Sequence, residues 1–81
     1  MQKIGQVTHF YNKLGVAVVL LDKGTLSVGD AVSFKHGEHE FDQQVDSLQV
    51  DHAEVPSIKA GEEAGLKVNE PVKEGWGVYK A

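Results

Sequence analysis

Apolar residues along this chain fall in short segments that glycines and prolines interrupt about every ten residues, as in sheets of short strands. Within most segments apolar and polar positions alternate, which indicates strands with one buried face. The pattern predicts six strands, over residues 3–11, 16–22, 31–35, 40–50, 64–68 and 76–80. Because a closed sheet has no exposed edges, we predict an all-β fold in which residues 1–81 form a single small closed six-stranded antiparallel β-barrel.

Two of the predicted strands contain irregularities. In the first, the apolar phase shifts between Ile4 and Val7, which predicts a β-bulge at Gly5. Residues 40–50 fit either one stripe of a helix or a strand with a bulge near Ser47. The all-β pattern around this segment favours the strand.

The second predicted strand is apolar on both of its alternating faces over residues 16–21. A strand of this kind is either covered on both sides or faces a partner molecule. We therefore predict that one of its faces, represented by Val16, Val18 and Leu20, contacts a protein partner.

Three aromatic residues are further candidates for partner contact. Phe10 and Tyr11 are neighbours on the first strand, so their side chains point to opposite faces and one of the two lies outside. Trp76 follows Gly75 in a turn, where its indole is either an exposed anchor for a partner or a cap on the core. The sequence leaves both alternatives open.

Residues 24–30 have the glycine spacing of a phosphate-binding loop, Gly-x-x-x-x-Gly. The next two residues are Asp30 and Ala31, where such a loop needs a lysine for the phosphates and a hydroxyl for magnesium. A carboxylate there would repel the phosphates. The segment is therefore predicted to form a corner between two strands, and no GTP binding is expected.

Composition and charge exclude several classes of protein. The net charge is −4 and all eight basic residues are lysines, which is unusual for a dedicated nucleic-acid binder because arginine makes the bidentate base and phosphate contacts. The chain has no cysteine, which agrees with a reducing compartment, and we predict a cytoplasmic location. We see no secretory signal after Met1, and the longest apolar run is too short to cross a bilayer, so no membrane contact is predicted.

No constellation of side chains predicts catalysis, a metal site or a cofactor. Residues 36–40, His-Gly-Glu-His-Glu, are the best candidate metal ligands, but they lack the helical spacing of zinc proteases and fall on a predicted hairpin tip. The paired carboxylates Asp42 with Asp46 and Glu62 with Glu63 would need a cleft that separates their pKa values. We predict that the chain is not an enzyme.

Five segments of the chain, in this order and spacing, resemble a known family: residues 5–7, 24–32, 45–48, 59–66 and 73–75. They are similar to the second-domain β-barrel of translational GTPases, with elongation factor Tu and the C-terminal barrel of bacterial initiation factor two as the nearest comparisons. The resemblance implies Greek-key-like connections and a surface that cradles the aminoacyl end of tRNA or packs against neighbouring domains. At that surface it implies RNA-end contacts from Lys13 and Glu63. The chain also looks like the small barrel attached to some collagenase-like peptidases, where it would be a lid or docking module.

The leading functional hypothesis is a non-enzymatic module that binds a protein partner in a translation or RNA-linked context. The predicted contacts are Phe10, Tyr11, Val16, Val18, Leu20 and Trp76. One alternative is binding of the aminoacyl 3′ end of tRNA, or of ribosome-linked RNA, through Lys13 and Glu63. Another is an accessory subunit of a collagenase-like peptidase or of an RNA-modifying enzyme.

Overall fold

The computed structural model describes residues 2–80. Within this range the regular secondary structure consists of β-strands alone. The ten strands are β1 (Gln2–Tyr11), β2 (Val16–Leu21), β3 (Thr25–Ser27), β4 (Ala31–His36), β5 (His39–Gln44), β6 (Leu48–Val50), β7 (Ala53–Val55), β8 (Ser57–Lys59), β9 (Glu63–Lys67) and β10 (Gly77–Lys80). The all-β prediction is confirmed, but the predicted number of strands is wrong. Four of the ten strands have only three residues each, too few to show alternation in a sequence.

Eight strands form one antiparallel sheet in the order β5-β4-β10-β1-β2-β9-β6-β7, and β3 pairs with β8 in a separate small sheet. Strands β5 and β7 are the edges of the larger sheet, so a closed six-stranded barrel is not found in residues 2–80. The chain leaves the sheet between β5 and β6. There the Val45 amide donates to the Asp30 carbonyl, and the Gly29 amide donates to the Val45 carbonyl, so this segment is bonded to the corner instead of to a strand.

The larger sheet wraps one core, to which nearly every strand contributes inward side chains. On β2 the burial alternates: Ala17, Val19 and Leu21 are buried, and the residues between them are half-buried. Both faces of β2 are therefore at least partly covered, and contact of its outward face with a partner stays a prediction. Phe34 of β4 lies at the centre of the core and stacks on Phe41, with ring centroids 5.1 Å apart.

The predicted bulge in β1 is confirmed, and Gly5 is its centre. The register of β1 with β10 shifts between Lys3 and Gly5, and Gly5 then lies opposite Leu21 on one side and Val78 on the other. A Cβ atom built on Gly5 would overlap the backbone carbonyl oxygen of Leu20. Glycine is therefore required at this position by the close approach of two backbones.

One buried polar side chain ties the β5 edge to the far side of the molecule. Gln43 is buried, and its Nε2 donates to the carbonyl of Lys67 at 2.8 Å, while its Oε1 accepts from the amide of Asn69 at 2.8 Å. These bonds satisfy the carbonyl of Lys67, the last residue of β9, and the amide of Asn69, two residues beyond it. Gln43 thus holds the curled sheet together where backbone pairing stops.

The segment with P-loop spacing forms a corner, as predicted. Gly24 and Gly29 have φ values of 64° and 95°, which glycine adopts without strain, and β3 lies between them. The Asp30 carboxylate accepts from the Ser27 amide at 2.8 Å and forms an ion pair with Lys80 at 2.9 Å. Asp30 therefore stabilises the corner, in the position where a phosphate loop would need a lysine.

Replacing Asp30 with asparagine is expected to make stability less dependent on pH at the acid end. The hydrogen bond and charge of Lys80, with the Ser27 amide, lower the pKa of Asp30 in the folded protein. A lowered pKa contributes stability above the unfolded value near 4, and this contribution is lost as the pH falls through the folded value. Urea unfolding of both proteins from about pH 7 to about pH 2 checks this. If the difference between the urea midpoints of the two proteins stays the same in acid, the prediction is contradicted.

Candidate partner-binding surface

The hairpin between β1 and β2 presents exposed apolar side chains at its tip. Tyr11 is 48% exposed and Leu14 is 65% exposed. Two hydrogen bonds close the tip, since the amides of Leu14 and Gly15 both donate to the Tyr11 carbonyl, at 3.1 and 2.9 Å. Two large apolar side chains on such a turn are the kind of residue that anchors a protein interface.

The outward face of β2 continues from this tip into a depression over β9. Val18 lies opposite Gly65 of β9, which in turn lies opposite Gln49 of β6. Because Ala64 and Leu66 point into the core, the position of Gly65 on β9 faces outward. The missing side chain at Gly65 leaves a gap between Val18 and Gln49.

This gap is part of a groove of about 490 Å³, within the usual range for binding sites. We call it the outer groove, and its lining residues are Tyr11, Leu14, Val16, Val18, Gln49, Asp51, His52, Glu63, Ala64 and Gly65. A smaller groove of about 230 Å³ shares Val16, Gln49 and Gly65 with it and extends to Lys67. The two grooves therefore adjoin along β9, and together they are called the channel.

Carboxylates lie at one end of the outer groove. Glu63 is held in place by the Thr8 hydroxyl, which donates to its Oε2 at 2.9 Å. Asp51 and His52 form the two-residue turn between β6 and β7, with φ values of 52° and 66°. This is the backbone of a tight hairpin turn, in which aspartate is a common first residue and His52 stands at the position that glycine usually occupies.

A second groove lies on the other side of the β1–β2 hairpin. It has a volume of about 580 Å³, and its lining residues are His9, Phe10, Asn12, Pro71, Val72, Lys73 and Glu74. His9 approaches Glu74 at 3.7 Å and packs its ring against Tyr11 at a centroid distance of 4.4 Å. Both charge signs occur here, and the exposed apolar residues of the hairpin tip do not line it. This groove is therefore the weaker candidate for partner binding.

The structure divides the predicted partner-binding residues among three places. Tyr11, Val16 and Val18 line the outer groove, together with Glu63, whereas Phe10 lines the second groove. Leu20 is half-buried on the same outward face as Val18, and Lys13 is exposed on the hairpin tip. Whether these residues contact a protein or an RNA end stays a prediction.

Trp76 caps the core, which is one of the two alternatives that the sequence left open. It is only 8% exposed, and His36 stacks on its ring with centroids 5.5 Å apart and an interplanar angle of 10°. His39 meets the same ring edge-on, at 6.2 Å. The two histidines of the hairpin tip therefore cover the indole, and an exposed Trp76 edge is not available to a partner.

No three histidine or acidic side chains converge on a point where a metal ion could bind within residues 2–80. Asp42, one of the paired carboxylates, is hydrogen-bonded to the Ser33 hydroxyl. Of the described segments, none is a helix long and apolar enough to span a membrane.

Comparison with known proteins places this fold beside a peptidase-associated domain. No family model matches the chain. Two crystal structures of the C-terminal domain of a Geobacillus thermoleovorans protein assigned to the U32 peptidases are similar to it, with TM-scores of 0.91 and 0.90 at 22% and 20% identity. They cover 99% of this chain, which covers 100% and 92% of the crystallised domains. An uncharacterized protease of Methanocaldococcus jannaschii is 36% identical over 78 residues.

These similarities define the fold and correct the resemblance inferred from the sequence. The chain has the fold of the U32 peptidase C-terminal domain, and the assignment to the second domain of translation factors is wrong. Glycine turns between short alternating strands are needed by any small curled antiparallel sheet, so their order does not distinguish the two groups. The match with the M. jannaschii protease spans 95% of this chain but only 19% of that protein.

Proposed function

We propose that this chain is a non-catalytic accessory module for a peptidase-type catalytic domain and docks on that domain through the β1–β2 hairpin tip and the outer groove. The observation that carries the proposal is the exposed pair Tyr11 and Leu14 beside the outer groove, in a fold shared with a domain of a U32 peptidase. The proposal favours the accessory role over translation, because the similar proteins are peptidases.

The chemistry of the surface supports a role in binding. Catalysis needs a positioned nucleophile or an acid and base pair within hydrogen-bond reach of a substrate, and the outer groove offers only Asp51, His52 and Glu63 at its rim. Glu63 already accepts a hydrogen bond from the Thr8 hydroxyl. Exposed aromatic and aliphatic side chains are, in contrast, common centres of protein interfaces. A cytoplasmic location is part of this proposal.

Capture of a partner with the 81-residue chain tests the proposal. The tagged chain is incubated with extract of its source organism, and bound proteins are quantified by mass spectrometry. We expect enrichment of a protein with a peptidase-type catalytic domain, and at least about tenfold lower capture by Val18→Lys, because a buried charge at the groove would disrupt the interface.

Val28→Lys is the matched control. Val28 is 46% exposed at the corner and lines neither groove, so the same substitution there should leave capture unchanged. Circular dichroism of both variants shows whether they are folded. Enrichment of no peptidase-type protein, or equal capture by the two folded variants, would refute the proposal.

A further inference from the structure

We infer that the outer groove binds an extended segment of the protein partner, with an apolar side chain over Gly65 and a lysine or arginine two residues away beside Glu63 and Asp51. This inference rests on the proposed docking function and specifies the chemistry of the docked segment. Three features of the groove support it: the glycine at its floor, its length and its charge.

The floor of the groove is a glycine that the backbone does not require. Gly65 lies in the middle of β9, where glycine weakens a strand, and it is not among the glycines with positive φ. A Cβ atom at this position would meet only the Cγ1 of Val16 within 4 Å, at 3.2 Å. The absent side chain therefore serves to keep the space over β9 open. Glycine inside a strand often marks a place where another chain or a ligand approaches closely.

The length of the channel fits an extended chain. From Glu63 to Lys67, β9 spans about 13 Å, which is the length of about four extended residues. The outward positions along it are Glu63, Gly65 and Lys67, each two residues from the next. An extended occupant has the same two-residue period, so side chains two apart on the occupant would lie over Gly65 and beside Glu63.

The charges of the groove fix the chemistry of the occupant. Both acidic residues of the outer groove, Asp51 and Glu63, lie on its lining, which contains no lysine. The register places them close together, because Gln49 lies opposite Gly65 and the strands β6 and β9 are antiparallel. A lysine or arginine at this end would gain two opposite charges, whereas a phosphate would be repelled. Lys67 at the far end gives the channel a direction.

Selection of peptides that bind the 81-residue chain, from a random library of about 12-residue displayed peptides, tests this inference. We expect enriched peptides to carry lysine or arginine two residues from a large apolar residue. Their affinity is then measured by fluorescence polarisation on purified variants. Gly65→Leu fills the floor and should weaken binding by about thirtyfold or more. The double variant Asp51→Asn with Glu63→Gln should weaken it about tenfold and reduce its dependence on salt.

Glu38→Gln is the control for charge. Glu38 lies on the turn between β4 and β5 and lines neither groove, so this neutralisation should leave peptide affinity unchanged. Enriched peptides without basic residues, an absence of enriched peptides, or binding that survives Gly65→Leu in a folded variant would overturn the inference. Dimerisation that Gly65→Leu abolishes, or binding of a labelled tRNA 3′-end oligonucleotide that it abolishes, would also overturn it.

The two proposals can fail separately. Selected peptides that bind as described, with no peptidase captured from the extract, would support the groove chemistry and refute the peptidase role. Capture of a peptidase that depends on Val18 but not on Gly65, Asp51 and Glu63 would refute the extended basic segment alone.

Discussion

Replacing Gly5 with alanine is expected to lower the free energy of unfolding by about 3 kcal/mol or more, near the upper end of the cost of overpacking. The added methyl group would overlap the carbonyl oxygen of Leu20, and that oxygen belongs to the backbone of a strand paired on both sides. A clash with backbone cannot be relieved by a side-chain rotation. The central strands β1 and β2 would have to separate, which weakens the middle of the sheet.

Urea unfolding followed by the fluorescence of Trp76 measures this loss, because Trp76 is the one tryptophan in the sequence and is buried. Gly65→Ala is the matched control. Its methyl group would meet a side-chain atom of Val16 at 3.2 Å, which can give way by a few tenths of an ångström. We expect it to change stability by less than about 1 kcal/mol. Equal effects of the two substitutions would show that the Gly5 backbone contact is not the cause.

Replacing Gln43 with methionine is expected to cost about 2 kcal/mol. The two side chains are similar in length, so packing is nearly kept, but the bonds to the Lys67 carbonyl and the Asn69 amide are lost. Those two backbone groups would then form hydrogen bonds to water or remain unpaired. The sheet edge at β5 has no partner strand, and Gln43 supplies hydrogen bonds from this edge to Lys67 and Asn69.

The neighbouring Gln44 supplies the control for Gln43. Gln44 lies on the same strand but is exposed, so Gln44→Met should change the unfolding free energy by less than about 0.5 kcal/mol. Gln43→Glu keeps the shape but cannot donate to the Lys67 carbonyl and adds a buried charge, so we expect it to cost more than Gln43→Met. A fully stable Gln43→Met protein would mean that packing alone holds β5 against residues 67–69.

The longer strands and the corner could be predicted from the sequence because their signals are local. Alternation of apolar residues indicated β1, β4 and β9, and the phase shift at Gly5 gave the bulge. The two glycines around β3 indicated the corner, since both need a positive φ. Each of these features depends on residues within a few positions of one another.

The open sheet and the short strands could not be predicted because they depend on distant contacts. The break between β5 and β6 is set by bonds from Val45 to Gly29 and Asp30, which no periodicity records. Strand β7 follows a tight turn made by Asp51 and His52, which lack the usual asparagine or glycine signal. We predicted a closed barrel because closure removes the exposed edges of a sheet. In the structure the β5 edge stays without a partner strand, and the Gln43 side chain supplies hydrogen bonds there instead.

The candidate site was partly visible in the sequence. The doubly apolar β2 pointed to Val16 and Val18, but Gly65 was overlooked, although a glycine inside an alternating strand was the available signal. Leu14, an apolar residue in a polar hairpin loop, was a second signal of the same kind. The contribution of Asp51 and His52 needed the three-dimensional register, since they lie far from β2 in the sequence.

The position of β10 has a consequence for how the chain folds. In the sheet order, β10 lies between β4 and β1, so it is the only described strand that joins the β5-β4 hairpin to the rest of the larger sheet. During synthesis, the two parts of the sheet must wait for this late segment before they can combine. Such non-local pairing is typical of proteins that fold in milliseconds to seconds, and until β10 arrives the edges of β1 and β4 are open to pairing with other chains.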